Sequence, residues 1–176
     1  MGRPVRHIPV KLAVGLISRK PSQFTAATRI LEKKFGKIDR ETDLLDFSCT
    51  RYYQKEFGQN LKRKFLSFKN LIALKQDFGI KLYTNKIERR LSENSRRTIN
   101  IDPGYVSLAK LILFTTKNRS HRIYADEGIY KDLELVFAKG TFRPLEWTYP
   151  DYRTKKYIAF FNSVRELYLS QVRRYL

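Results

Sequence analysis

The sequence predicts an α+β fold with a βαββαβ, ferredoxin-like core that is extended by a strand, a β-hairpin and a C-terminal helix. Short apolar or alternating runs typical of strands are separated by two amphipathic segments typical of helices, and their order is that of a split βαβ unit. Of the 176 residues, 42% are hydrophobic and 14% aromatic, which is enough apolar material for a packed core. Because neither a repeat nor a Gly/Ser-rich or Pro-rich linker divides the chain, we expect a single domain, residues 1–176.

The first half of the core begins with a strand predicted for residues 11–17. These residues are nearly all apolar, as in a strand that is covered on both faces. A helix follows from Pro21, with apolar residues recurring every three or four positions, and ends at Gly36. Residues 43–48 and 61–68 are the next two predicted strands.

The second half of the core begins with an amphipathic helix predicted for residues 77–93. In the strand that follows, residues 98–102, isoleucines alternate with Asn100 and Asp102, so the two polar side chains share one face. Pro103-Gly104 is typical of the centre of a type II turn, which would place Asp102 at the end of its strand.

The extension beyond the core contains a mostly apolar strand at residues 108–115. A hairpin is predicted next, with arms at residues 129–137 and 141–147 and a turn at Lys139-Gly140. The last helix runs from Thr154, a residue that favours the N-cap position, to the end of the chain.

The charge balance indicates the class of partner. Lys and Arg number 36 against 17 Asp and Glu, a formal net charge of +19, which would attract phosphate groups. We therefore expect a polyanionic partner, RNA or a nucleotide. The cations are spread along the chain, and we interpret the run Lys62-Arg63-Lys64 as part of an edge strand with Lys on its solvent face.

No membrane partner is expected. The longest apolar segment, residues 109–114, is too short to span a bilayer, and the apolar run near the N-terminus is shorter than a secretory signal. We therefore expect a cytoplasmic protein.

Several motif-based classes are excluded. The eight glycines form neither a GxGxxG motif nor a P-loop, and HExxH, GxSxG and CxxC are absent as well. One Cys and two His cannot form a zinc finger. The run around Phe65 is basic and aromatic, but it lacks the glycines of an RNA-recognition strand.

Three segments carry a resemblance to a known family: NIDPGY at residues 100–105, HRIY at residues 121–124 and WTYPDYR at residues 147–153. With these segments, and with Tyr52-Tyr53, the chain resembles over nearly its whole length the bacterial family called domain of unknown function 4416. The resemblance implies a single-domain bacterial protein of unestablished activity. Some members are labelled GTP-binding, but the P-loop that this label suggests is absent here.

Two residues are candidates for catalysis. A carboxylate at a strand end, such as Asp102, can coordinate Mg²⁺ or act as a base, although Asp before Pro-Gly also commonly bonds to its own turn. His121 follows a basic loop and is the residue type best suited to proton transfer near neutral pH, with a structural histidine as the alternative. Asp132 and Glu134 share a strand face, and they could either join Asp102 at a divalent cation or pair with Lys and Arg.

The candidate ligand-binding residues combine guanidinium and ammonium groups that bind phosphate with rings and polar groups suited to bases. They are Arg96, Arg97, Asn100, Tyr105, Lys117, Arg119, Arg122, Tyr130, Glu134, Tyr149, Asp151 and Arg153.

Three functions remain open from the sequence. The first is a protein that binds a phosphate-bearing ligand, RNA or a nucleotide. The second is an enzyme that acts on a phosphate ester with the help of a divalent metal such as Mg²⁺, which would use Asp102 and His121. The third is a structural partner in a larger complex, which predicts an exposed aromatic patch around residues 147–152.

Overall fold

A computed structural model describes residues 2–49, 52–75 and 77–175, and it shows one antiparallel sheet with helices on both faces. The strands within those residues are β1 (Val10–Ser18), β2 (Ile38–Glu41), β3 (Leu45–Asp46), β4 (Lys62–Ile72), β5 (Asn100–Val106), β6 (Lys110–Thr115), β7 (Arg122–Asp126), β8 (Ile129–Ala138) and β9 (Thr141–Pro144). The helices are α1 (Pro21–Phe35), α2 (Gln54–Phe57), α3 (Phe78–Arg90) and α4 (Lys155–Val172), with 3₁₀ turns at Pro150–Arg153 and Arg173–Tyr175.

The strand order of the described sheet is β2-β4-β1-β5-β6-β8-β7, with β3 also paired to β4 and β9 to β8. β1 lies between β4 and β5, and all nine of its residues are buried. Gly15, at its centre, is opposite Phe65 on β4 and Asp102 on β5. The prediction of a strand covered on both faces is therefore confirmed.

The two faces of the sheet are covered by different helices. Successive side chains of a strand point to opposite faces. Leu12, Val14 and Leu16 of β1 belong to a core cluster with α1 and α3, whereas Ala13 belongs to a cluster with Phe65 and α4. Helices α1 and α3 therefore cover one face, and α4 covers the other.

A buried lysine joins the sheet to α4. The Lys11 Nζ donates to Asp39 Oδ2 on β2 at 2.5 Å, to the Phe68 carbonyl on β4 at 3.1 Å and to Gln171 Oε1 on α4 at 2.8 Å. Burial lowers the pKa of Lys11, and the hydrogen bond that Lys11 donates to Asp39 opposes that shift. Four elements thus meet at one ammonium group, whose charge is matched by a carboxylate.

The predicted α+β class is confirmed, as are several of its elements. Helix α1 begins at Pro21 and stops before Gly36, and the hairpin of β8 and β9 turns at Lys139-Gly140. The Thr154 hydroxyl caps α4 by accepting from the Tyr157 N–H. The predicted end of that helix at Leu176 lies outside the described residues, and the ferredoxin-like core stays a prediction.

Two interpretations are wrong. Pro103-Gly104 is not a turn, because both residues lie inside β5. A Cβ on Gly104 would lie 2.2 Å from the Ile112 carbonyl oxygen, so glycine is required here by the close approach of β6. The strand that contains Lys62-Arg63-Lys64 is not an edge strand either, because β4 lies between β1 and β2, and Arg63 is buried.

Two strands escaped prediction. β2 has four half-buried or exposed residues, and β7 directs Ile123 and Tyr124 to solvent, so neither shows the alternation of a half-buried strand. Among the helices of the described ranges, none combines the length and the apolar character that a membrane crossing requires.

Replacing Lys11 by Ala removes the cation that faces Asp39 and leaves a carboxylate in a largely buried position. We expect the free energy of unfolding to fall by about 3–5 kcal/mol, the usual cost of breaking a buried ion pair from one side. The measurement is urea unfolding followed by circular dichroism. Lys64→Ala is the matched control, because Lys64 pairs at 3.0 Å with the half-exposed Glu41 and should contribute at most about 1 kcal/mol. Equal losses in both variants would contradict the prediction.

Candidate functional site

A pocket of about 520 Å³ opens where β5 and β6 stop pairing. The ladder between them joins residues 104–106 to residues 111–113, while β5 extends back to Asn100 and β6 extends forward to Thr115. The parts of β5 and β6 that do not pair with each other both line the pocket. Side chains from β4, α3 and the loops around β7 and α4 complete the lining.

β6 does not hydrogen-bond to the first residues of β5, before Gly104. Side chains of helix α3 bond to the backbone of β5 there instead. The Ile101 N–H donates to Glu88 Oε1 at 2.6 Å, and the Ile101 carbonyl accepts from Lys81 Nζ at 2.8 Å. Because two side chains satisfy the backbone in place of a strand, space is left beside β5 for a pocket. Glu88 also accepts from Arg97 at 2.9 Å, which fixes a further cation at the pocket wall.

Arg63 forms the floor of the pocket and is only 3% exposed. Its Nη2 donates to Asp151 Oδ2 at 2.8 Å, and its Nη1 lies 3.6 Å from Asp102 Oδ2. The rings of Phe47, Phe65 and Tyr152 surround the guanidinium carbon at 5.2, 5.1 and 5.5 Å. Burial disfavours its charge, but Tyr152, Asp151 and Asp102 hold the pKa of Arg63 above its usual value.

The floor also presents polar atoms that the described protein leaves without hydrogen-bond partners. They are Nε and Nη1 of Arg63, Oη of Tyr152 and Oδ1 of Asp132. Buried polar atoms are nearly always paired, and an unpaired one costs about 1–3 kcal/mol. These atoms are buried beneath the pocket surface, so a ligand that contacts the walls does not reach them in this arrangement.

The loop before β7 forms a second wall, together with the segment before α4. The Arg122 guanidinium donates from Nε to Asp132 Oδ2 at 2.8 Å and from Nη2 to Tyr149 Oη at 2.6 Å. The His121 ring stacks on Trp147 with centroids 5.1 Å apart, and its Nε2 lies 3.5 Å from Asp132 Oδ1. Two of the segments singled out in the sequence, at residues 121–124 and 147–153, therefore meet at Asp132 and at these rings.

The segment of residues 52–57 forms a third wall and contacts two of the pocket cations. Lys117 Nζ lies 4.2 Å from the centre of the Tyr52 ring and donates to its hydroxyl. Arg97 donates to both carboxylate oxygens of Glu56 at 2.6 Å. Arg97 also donates to Asn100 Oδ1 at 3.0 Å, so it joins this segment to β5.

The pocket walls are electropositive. Six Lys and Arg line the pocket against three Asp, and one of the six, Arg97, is neutralised by Glu56 and Glu88 from outside the lining. Asp151 is paired with Arg63, Asp102 lies within 3.7 Å of Arg63 and Lys81, and Asp132 is bound by Arg122. The carboxylates are therefore already matched by cations on the protein.

A search of the described residues finds no group of three or more His, Cys, Asp and Glu that could hold a metal ion. Asp132 pairs with Arg122, and Glu134 accepts from the Tyr149 N–H at 2.7 Å. The sequence left two alternatives for Asp132, binding a divalent cation with Asp102 or pairing with Lys or Arg. The pair with Arg122 agrees with the second alternative. The metal-assisted enzyme stays a prediction.

Comparison with known proteins gives a family. The model of the domain of unknown function DUF4416 matches residues 8–168. The chain belongs to this family. No curated protein and no solved structure matches the chain. The family match covers all the segments on which the resemblance was based, and the description of the family gives no activity.

The structure brings most of the candidate residues of this family member together. Asp102 and His121, the two candidates for catalysis, line the same pocket although β6 separates them in the chain. The candidate ligand-binding residues that also line it are Arg97, Asn100, Lys117, Arg119, Arg122, Tyr149 and Asp151.

Five candidates lie elsewhere. Arg96 lines a neighbouring groove, and Tyr105 is buried in an apolar cluster beside Phe114. The other three are Tyr130, whose ring contacts Tyr124, Glu134, which is buried behind Tyr149, and Arg153, which donates to three carbonyl groups of the loop before α4.

Sequence reasoning missed Arg63, Lys81 and Glu88. Arg63 is two residues before Phe65, so the alternation of a strand places both on the same face, and this signal could have marked Arg63 as inward-facing. Lys81 and Glu88 are seven residues apart on α3, on the same face as Thr84, and their helical spacing gives a comparable signal.

Gly15→Ala tests the packing of the floor. A Cβ on Gly15 would lie 2.6 Å from Arg63 Nη1 and 3.0 Å from a Phe65 ring carbon, so the side chains must shift. We expect the free energy of unfolding, measured in urea, to fall by about 1–3 kcal/mol, the usual cost of overpacking a core. In α3, a Cβ on Gly79 would have no heavy atom within 4 Å. The control Gly79→Ala should therefore gain up to about 1 kcal/mol from helix propensity. A stable Gly15→Ala variant would contradict the packing described here.

Because the carboxyl group of Glu134 is buried, we expect the free energy of unfolding to depend on pH. Burial raises the pKa of Glu134 from its ordinary 4.5 to about 8; Asp132 and Asp151 add to the shift, and the N–H of Tyr149 opposes it. Between these two values the folded state keeps a proton that the unfolded state has released. The free energy of unfolding should therefore fall as the pH rises through this window, by at most about 1.4 kcal/mol per pH unit from this group.

The measurement is urea unfolding at pH 5, 6.5 and 8 for the parent protein, for Glu134→Gln and for the exposed control Glu146→Gln. Glu134→Gln cannot titrate, so its stability relative to the parent should rise with pH. Glu146→Gln should parallel the parent at all three values. If the stability of Glu134→Gln changed with pH in the same way as that of the parent protein, the raised pKa of Glu134 would be contradicted.

Proposed function

We propose that the protein binds a phosphate-bearing ligand, an RNA or a nucleotide, in the pocket between β5 and β6. The observation that carries this proposal is the positive charge of one concave site, in which the described carboxylates pair with Arg63, Lys81, Arg97 and Arg122 and leave Lys117 and Arg119 without a carboxylate partner. The lining cations come from four separate stretches of the chain: β4, α3, the segment before β5, and the stretch from the loop after β6 into the first residue of β7. Arg63 and Lys81 also bond to buried groups of the protein, whereas Lys117 and Arg119 are exposed, so packing does not explain why these two face the cavity.

The distribution of partners within the pocket supports the same ligand. Arg63, Lys81 and Arg122 are matched by the three carboxylates of the walls. Near the entrance, the exposed Lys117 faces a neutral tyrosine, and Arg119 is also exposed. Cations without a protein carboxylate at hand are the ones from which a phosphate gains most.

Aromatic rings at the entrance support a ligand that carries a base. Tyr52, Trp147 and Tyr149 are 61%, 40% and 40% exposed and all line the pocket. Stacking of a base on such a ring contributes about 1–3 kcal/mol whatever the base. Phosphate-binding cations beside exposed rings suit a nucleotide unit better than inorganic phosphate alone.

We also propose a fold for the part of the chain that contains β1, β2, β4 and β5. Strands β2, β4, β1 and β5 are neighbours in that order, and α1 and α3 pack on the same face of β1. Both features are those of a split βαβ unit, so we keep a ferredoxin-like core as our proposal for this half of the chain.

The double variant Lys117→Ala/Arg119→Ala tests the proposal. We expect the parent protein to bind nucleoside monophosphates, measured by isothermal titration calorimetry at low salt, and the variant to bind them at least roughly tenfold more weakly, since each lost charged contact removes about 1.5 kcal/mol or more. The control is Arg29→Ala/Lys33→Ala, which removes the same charge from the exposed face of α1. Absence of binding by the parent protein, or equal weakening by the control, would contradict the proposal.

A further inference from the structure

A second groove of about 540 Å³ lies beside the pocket. It is formed by the junction of β1 and α1, by the turn between α3 and β5, and by the end of α2. Four cations line it, namely Arg19, Lys20, Arg96 and Arg97, against Glu56 and Glu93. The groove therefore carries an excess of two positive charges.

The two carboxylates of this groove are already bound, and two arginines are left over. Lys20 pairs with Glu93, and Arg97 pairs with Glu56. Arg19 and Arg96 make neither a side-chain hydrogen bond nor a close ion pair with any residue in the described ranges, although the charge of Arg19 adds to the lowering of the Glu93 pKa that Lys20 mainly causes.

Each of the two remaining arginines has one local contact that places it at the groove. The backbone of Arg96 exchanges two hydrogen bonds with Glu93, at 2.8 and 2.9 Å. Arg19 lies against Gly58, because its Nη1 is 3.4 Å from the position that a Cβ on Gly58 would occupy. Both guanidinium groups are exposed to solvent, and their planar fork matches the geometry of phosphate as well as that of carboxylate.

Arg97 joins this groove to the pocket, because it lines both. On the pocket side it donates to Asn100, and on the groove side it neutralises Glu56 through two hydrogen bonds. Cations therefore line both cavities, Lys117 and Arg119 in the pocket and Arg96 and Arg19 in the groove, and Arg97 is shared by the two.

We propose that the ligand is a single-stranded nucleic acid, with one nucleotide in the pocket and the adjoining phosphodiester chain crossing Arg97 into the groove. This proposal rests on the proposed function of the pocket. A single strand is favoured because its bases are free to enter a concave pocket and to stack on Tyr52 or Trp147, whereas a duplex must first unpair and unstack a base at a cost of a few kcal/mol. The second groove supplies contacts to the backbone, which add affinity without reading the sequence.

The experiment compares ligand length and salt dependence. Fluorescence anisotropy is measured with labelled RNA and DNA oligonucleotides of three, six and nine residues over a salt series, and calorimetry with nucleoside monophosphates. We expect the six-residue oligonucleotide to bind at least tenfold more tightly than a monophosphate. In Arg19→Ala/Arg96→Ala, oligonucleotide affinity should fall about tenfold and the slope of log K against log[salt] should fall by about 1.4, or 0.7 for each lost phosphate contact. Its affinity for monophosphates should not change.

The control Arg29→Ala/Lys33→Ala carries the same loss of charge on the exposed face of α1, away from both cavities. All four substituted residues are exposed, so both variants should fold, which circular dichroism verifies. If the control loses as much oligonucleotide affinity as Arg19→Ala/Arg96→Ala, diffuse charge explains binding and the proposal is overturned. If monophosphates bind as tightly as the oligonucleotides, the groove proposal fails while the proposed function stands. If the parent protein binds neither, the proposed function itself fails.

Discussion

The ion pair of Arg63 with Asp151, buried beneath the pocket, is the interaction on which the rest of the site depends. A guanidinium group in a nearly dry position is tolerated only when a carboxylate and further partners offset the cost of removing it from water. Asp151 lies in the 3₁₀ turn before α4, and Asp102 lies on β5, so this one charge fixes the position of both. The sheet and the segment that leads into α4 are thereby held in one arrangement.

The same requirement explains why polar residues gather at this end of the sheet. Once Arg63 is placed beside Gly15, the nearby part of β5 carries Asp102 on the same face. β6 does not pair with that part of β5, and α3 satisfies its backbone through Glu88 and Lys81 instead. The pocket is therefore a consequence of how the strand ends, and its charged lining is a consequence of satisfying the groups exposed there.

Local patterns predicted those parts of the fold that depend on neighbouring residues. The apolar run of β1, the stripe of α1, the Lys139-Gly140 turn and the cap at Thr154 all act within a few residues, and all are observed. The motifs at residues 100–105, 121–124 and 147–153 were also recognised, and all three contribute residues to the pocket. Arg63 was misread because a basic residue between two lysines resembles a solvated face; only the pairing of β4 with distant strands shows that it is buried. Pro103-Gly104 was misread for a related reason, since the close approach of β6 is a tertiary contact that the dipeptide does not encode.

The wall formed by residues 52–57 would couple the binding of the proposed ligand to the position of a surface segment. Tyr52 and Glu56 each hold a pocket cation, Lys117 and Arg97 respectively. A phosphate that recruits these cations must compete with the hydroxyl and the carboxylate that bind them. Occupancy of the pocket and attachment of this segment are therefore linked equilibria, and linkage is reciprocal: the factor by which a ligand loosens the segment equals the factor by which loosening the segment raises the affinity for the ligand.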